Sequence, residues 1–392
     1  MKNNILSLLI LFFVLTISSR SFAQWTQTSG SQTGTVRALL ALNNGSGGTN
    51  LFAAGSDIGG IYLSTNNGTN WTAVVSGLGN TDVRNLCATP NGSFLFAGTN
   101  GGGVYISTNN GTNWTAATSG IADLKIRALR FRADGDYFLA GTNDSGVFLS
   151  SNNGGVWEKR NNGLTNTNIY DIMYSPNSQY LFVATNGGIF RSTDNGANWN
   201  KSDSGITVTE IRAFAFTNNG TNLFAGTSNG GVFLSTNNGA TWSAANTGLG
   251  SNEVRAFAVT GNGLNLFGGT GSNGVWRTTN NGTTWSDVSQ GLGALGIRTF
   301  AISIDGMYLF SAGTSNGWVW KRALSEISAV KEIPSSLPNT FSLSQNYPNP
   351  FNPTTNIQFQ NMEHYCPVKK SNKINWFVEL PISLTDSFLS SS

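Results

Sequence analysis

Seven short apolar runs in this chain open with Val or Ile, and the residue that follows forms a column with unusual chemistry. It reads Arg37, Arg84, Arg127, Tyr170, Arg212, Arg255 and Arg298. A guanidinium stays charged and presents a planar fork of donors, so converging arginines suit a carboxylate, sulfate or phosphate. A residue copied in every repeat can equally serve the repeat itself, for example by bonding carbonyls of the neighbouring unit. Two departures from the pattern add charge. Asp171 follows Tyr170 in a column that is otherwise mostly small, and Arg130 stands where the other repeats have Leu40, Cys87, Met173, Ala215, Ala258 and Ala301. A buried carboxylate must be paired or protonated. Asp171 is therefore expected to contact an arginine of an adjacent repeat, either as a compensating ion pair or within a binding site. Arg130, Arg132, Asp134 and Asp136 make that repeat the most charged of the series. The candidate binding residues are the seven of the column together with Arg130 and Asp171.

The elements that must position these residues are written as a repeat. An octet, "STNNGTNW", occurs at 64–71 and again at 107–114, with variants starting at Ser150, Ser192, Ser235 and Thr278. The starts are spaced 43, 43, 42, 43 and 43 residues apart. Each octet ends in tryptophan, and each period holds four short apolar runs separated by Gly and Asn turn signals, as in "KIRALRF" and "YFLAGTN". About 40–45 residues with four strands is the unit of a β-propeller blade. The first strands begin at Val36, Val83, Ile126, Ile169, Ile211, Val254 and Ile297, so an all-β propeller of seven four-stranded blades is expected. The last repeat lacks an octet and a fourth strand. "WTQTSG" at 25–30 matches the run that follows every octet, so the N-terminal strand is expected to complete the last blade and seal the ring.

The octet resembles the Asp-box, or BNR, repeat of sialidase-like propellers, Ser-x-Asp-x-Gly-x-x-Trp. "STDNGANW" at 192–199 carries the full pattern, and the other five replace Asp with Asn. Its physics is that of a stapled turn. Asn or Asp accepts backbone hydrogen bonds and tolerates left-handed backbone, Gly supplies positive φ, and Trp folds back over the turn and buries a large ring. The resemblance implies a binding propeller that presents a face to a glycan, polymer or protein. It also implies an alternative, a glycoside hydrolase of sialidase-like or xyloglucanase-like type. Sialidase-like enzymes need an arginine triad, a tyrosine activated by a glutamate and an acid/base aspartate, usually with a Phe/Tyr-Arg-Ile-Pro motif before the first box. That motif is missing, and Glu158, Glu210 and Glu253 fall in different repeats. Asp171 and Asp134 are the only nominees for a pair of carboxylates at roughly 5–10 Å. The balance is against an enzyme, and no catalytic residue is assigned. A third reading, an assembly factor resembling the photosystem assembly propellers, rests on fold analogy.

Bulk composition narrows the partners. Only 10% of the 392 residues are charged, against about a quarter ordinarily, while Gly reaches 48 and Trp 11. The net charge of +3 is not gathered into a basic stripe, which argues against nucleic acid. Lys2, the apolar run Ile5–Ile17 and Ser21-Phe22-Ala23 read as a secretory signal peptide over 1–23, and no later segment could span a bilayer. Cys87 and Cys366 make no disulfide framework. No cofactor or metal is expected. The propeller is expected over 24–322 and a linker over 323–340. "FSLSQNYPNPFNPTTNIQF" at 341–359 closely resembles the start of the type A sorting domain of type IX secretion, known from Bacteroidetes and related bacteria. That resemblance implies the type IX machinery as a partner and a secreted or cell-surface location. Beyond Gln360 the match stops, and 361–392 contains no glycine. A frameshift or truncation there is expected, which would leave the protein periplasmic.

Overall fold

The computed structural model describes residues 24–29, 34–217, 220–293, 296–314 and 319–328. The signal-peptide segment and the whole of 341–392, with both sorting-domain and tail expectations, lie outside the described residues. What is described is an all-β propeller of seven four-stranded antiparallel sheets. Blade one comprises Thr35–Asn43, Thr49–Ser56, Ile61–Ser64 and Thr72–Ala73. Blades two to six repeat that meander from inner strands Val83–Ala88, Ile126–Phe131, Ile169–Tyr174, Ile211–Phe216 and Val254–Val259. Each inner strand touches those of its two neighbours, and the series closes from Ile297–Ile302 back onto Thr35–Asn43.

The seventh blade is built from both ends of the described chain, as the repeat count requires. Ile297–Ile302, Tyr308–Gly313 and Val319–Ala323 supply three strands, and Thr26–Gln27 supplies the outermost. Thr26 pairs with Lys321 and Gln27 with Trp320. Trp25 is 2% exposed; its backbone N–H donates to the Gln290 carbonyl (3.0 Å) and its Nε1 to the Val288 carbonyl (2.7 Å). A helix, Leu324–Ser328, then packs Leu324 and Ile327 into the same cluster as Trp25 and Val288. It falls at the start of the stretch expected as linker. Two apolar side chains three apart on one helix face, with a seam to cover, account for its order.

The octets form the expected turns, with two refinements. The Asp position (Asn66 in the first box) does accept, from the Asn70 amide at 2.8 Å, but the left-handed residue is the next one, Asn67 at φ 53°. The tryptophans also do more than cover their own turn. Trp114, Trp157, Trp199, Trp242 and Trp285 each donate Nε1 to a carbonyl in the preceding blade, at 2.8–2.9 Å. Their backbone N–H groups bond the same neighbour. The buried indole N–H needs an acceptor, and the turn's own carbonyls are already aimed elsewhere. Five of the six octets are thus inter-blade staples, and Trp25 makes the same two bonds without an octet.

Candidate functional site

The column residues owe their direction to a bulge. In every blade the inner-strand ladder skips one residue: Val36 opposes Gly55 and Ala38 opposes Ala54, leaving Arg37 over. The same skip leaves out Arg84, Arg127, Tyr170, Arg212, Arg255 and Arg298. A bulged residue escapes the alternation of the strand, which lets each of these side chains lean away from the inter-blade core. All seven are partly exposed.

Their partners divide the ring. Arg84 makes a two-point bridge to Asp82 at 2.9 and 3.0 Å, Arg212 meets Glu210 at 2.7 Å, and Arg255 meets Glu253 at 2.5 Å. Each carboxylate stands two residues before its arginine. The corresponding residues in the other blades are Thr35, Lys125, Asn168 and Gly296. Among the described residues no carboxylate lies within ion-pair distance of Arg37, Arg127 or Arg298. Arg127 instead stacks on the Tyr170 ring at 4.7 Å, and Arg212 on the same ring at 4.6 Å. Arg37 spends Nε on the Ser56 hydroxyl at 3.1 Å. Arg298 has a buried Nε with no acceptor. Burial, then repulsion from Arg255, Arg37 and Arg212, pulls its pKa down to about 10. Arg37 is also lowered, by burial first and Arg84 second. These mutual repulsions show that the guanidinia sense one another around the channel mouth.

Tyr170 sits inside this arrangement. Its pKa is raised, first by burial and then by a hydrogen bond with Glu210. Glu210 was read from sequence as remote from Tyr170; adjacent bulges bring the two together. Asp171 has a different task. Its Oδ1 accepts from its own neighbour Ile172 N and its Oδ2 from Phe214 N of blade five, both at 2.8 Å. Arg130 of blade three, as expected of an adjacent repeat, approaches it at 3.9 Å, but bonds directly to the Ile172 carbonyl at 3.0 Å. Burial raises the Asp171 pKa against Arg130 and the two amides. Thr299 fills the same place in blade seven, its hydroxyl accepting from Leu39 N of blade one at 3.0 Å. Asp171 and Arg130 therefore strap blades three, four and five together.

The other carboxylate nominee is not near. Asp134 pairs with Arg132 in the hairpin that follows the inner strand of blade three, whereas Asp171 lies near the start of its own inner strand. Among the described residues no three His, Cys, Asp or Glu side chains could hold a metal ion, and no helix is long and apolar enough to cross a membrane. Cys87 is a free, half-buried thiol.

Comparison with known proteins agrees with the architecture. A family model described as photosynthesis system II assembly factor YCF48 matches residues 38–230, just under half of the chain. No curated protein matches in sequence. Among solved structures, the extracellular domain of a hybrid two-component system from B. thetaiotaomicron superposes with a TM-score of 0.61 at 16% identity, covering 76% of this chain and 39% of that one. An ancestral GH74 enzyme gives 0.59 at 20% identity, covering 76% and 47%. The WD40 propeller domain of Doa1 gives 0.62 at 15%, covering 78% and 99%. The chain thus spans about two-fifths of the bacterial extracellular domain it superposes on. At these identities the likeness establishes the propeller fold, with a BNR-type repeat over its first half.

Proposed function

We propose that this is an exported binding propeller, secreted or held at the cell surface, whose channel mouth takes an anionic group of a glycan, polymer or protein. The observation that carries this reading is the incomplete neutralisation of the column. Three of six arginines have a carboxylate of their own, and Arg37 and Arg298 sit side by side on blades one and seven without one. A half-buried cation without a counter-charge is costly, and a bound carboxylate, sulfate or phosphate would relieve that cost. The signal peptide and the string "YPNPFNPTT" support export by the type IX route. The test is a glycan array with neutral, uronic-acid and sulfated members, repeated at rising salt. Binding confined to acidic members and weakened by salt supports the reading. Salt-insensitive binding to neutral members refutes it.

A glycoside hydrolase remains the second reading, supported by the grouping of Tyr170 and Glu210 about Arg212, with Arg127 on the same ring. Asp171, the residue next to Tyr170, is committed to two backbone amides. Fluorogenic sialoside and β-glycoside assays decide: turnover that Asp171→Asn or Tyr170→Phe abolishes would replace the binding reading.

A further inference from the structure

The six octets place Asn before Gly six times: Asn67, Asn110, Asn153, Asn195, Asn238 and Asn281. Asparagine is a thermolabile residue, and an Asn–Gly step is its weakest setting, because Gly puts no side chain in the way. In deamidation the Gly amide nitrogen loses its proton and attacks the Asn Cγ. The new C–N bond closes a succinimide, the side-chain nitrogen leaves as ammonia, and water opens the ring to aspartate or isoaspartate. The reaction needs a Gly amide free to give up its proton and a backbone free to swing onto Cγ.

The boxes deny both. Every box Asn is held left-handed, at φ 53–57°. Every box Gly donates its N–H to the hydroxyl that opens the octet: Gly68, Gly111, Gly154, Gly196 and Gly239 to a serine, and Gly282 to Thr278, all at 2.8–2.9 Å. Those hydroxyl residues are buried to 1–2% exposure. Among the described Asn–Gly steps outside the boxes, Gly45, Gly92, Gly101, Gly187, Gly230 and Gly263 donate their amides to other acceptors, whereas Asn162–Gly163 lacks such a guard and, unlike Asn273–Gly274, is exposed at both residues. The glycine six residues after each box tryptophan is preceded by Ser76, Ser119, Ser204, Thr247 or Gln290 in other repeats, and by Asn162 in blade three. Gly163 has φ 80°, and a side chain there would lie 2.2 Å from the Trp199 carbonyl, so glycine is obligatory. Among the described residues its amide has no acceptor, and both Asn162 and Gly163 are exposed. The Asn162 carbonyl receives the Trp199 N–H at 2.8 Å, which is the seam between blades three and four.

We propose that Asn162 is the first of the described Asn–Gly steps to deamidate spontaneously, and that the opening hydroxyl of each octet protects the Asn–Gly step inside it. Isoaspartate at 162 reroutes the main chain through Cβ and Cγ and turns the carbonyl that holds Trp199 into a pendant carboxylate, so modification loosens that seam first.

The folded full-length chain is incubated in mildly alkaline buffer and its peptides are followed by mass and by isoaspartate content. Asn162 should convert at least about tenfold faster than any box Asn, the ratio that a local opening free energy of about 1.4 kcal/mol imposes. N162S, the residue of the equivalent sites in blades two and four, should remove the first acidic species. S150A should speed conversion of Asn153 about 5–30-fold, with the other five boxes as controls in the same molecule. S150T, the hydroxyl of the sixth box, should not. Box residues converting as fast as Asn162, or S150A accelerating all six boxes alike, would overturn the proposal.

Discussion

Blades four to six and blades seven and one face the same channel with the same arginine column, yet they treat it in opposite ways. On the first side, Glu210 and Glu253 neutralise Arg212 and Arg255, and Tyr170 fills the space between Arg127 and Arg212. On the second, Gly296 and Thr35 occupy the places of the carboxylates, and Arg298 and Arg37 repel one another. A repeated residue is therefore charge-paired in one arc and without a carboxylate in the next. The difference lies in what stands two residues earlier on the chain.

That contrast can be broken directly. The largest effect is expected from R37A combined with R298A. Two charge-assisted bonds at about 1.5–3 kcal/mol each make the loss of affinity for an acidic glycan about a hundredfold or more, read by calorimetric titration. The melting temperature should hold or rise, because a repulsion is removed. R127A with R212A should do the reverse. Losing two cation–π contacts of about 0.5–2 kcal/mol each lowers the denaturation midpoint, while affinity changes less. Equal loss of binding in both double variants would erase the distinction between the arcs.

A gentler change sharpens it. T35D gives Arg37 the carboxylate that Arg84, Arg212 and Arg255 possess, and should weaken acidic ligands by about tenfold, near 1.4 kcal/mol. The smallest effect belongs to the strap. D171N keeps one accepting oxygen of two and should cost about 1 kcal/mol in urea unfolding. Its pH signature has a definite sign. The folded carboxyl has a raised pKa, so its stabilising contribution is full below the unfolded value of 3.8 and is lost as pH rises through the folded one. D171N should remove that slope; an unchanged profile would mean the group is not buried as described.

The architecture was readable because the octet spacing and the orphan "WTQTSG" each count blades. The arginine column was readable for the same reason. The acidic column two residues before it was equally present, since side chains two apart share one strand face. It is masked in the sequence because Asp82, Glu210 and Glu253 sit just before the strands begin, where strand patterning fades into turn. The Tyr170–Glu210 contact and the Asp171 bond to Phe214 N were not readable. Both depend on how far the inner strands of neighbouring blades are shifted along each other, and no motif encodes that offset.

The Val288 carbonyl receives two donors, Trp25 from the start of the propeller and Arg322 from its end, each at 2.7 Å. A single oxygen atom thus certifies that both termini have arrived. Residues 25 and 322 are brought together there across the six intervening sheets, so the seal is among the most non-local contacts in the ring, the class that forms slowly. Until then the seventh sheet lacks its outer edge, and cleavage or tagging within Trp25–Gln27 should act as a folding defect rather than a trimming of the end.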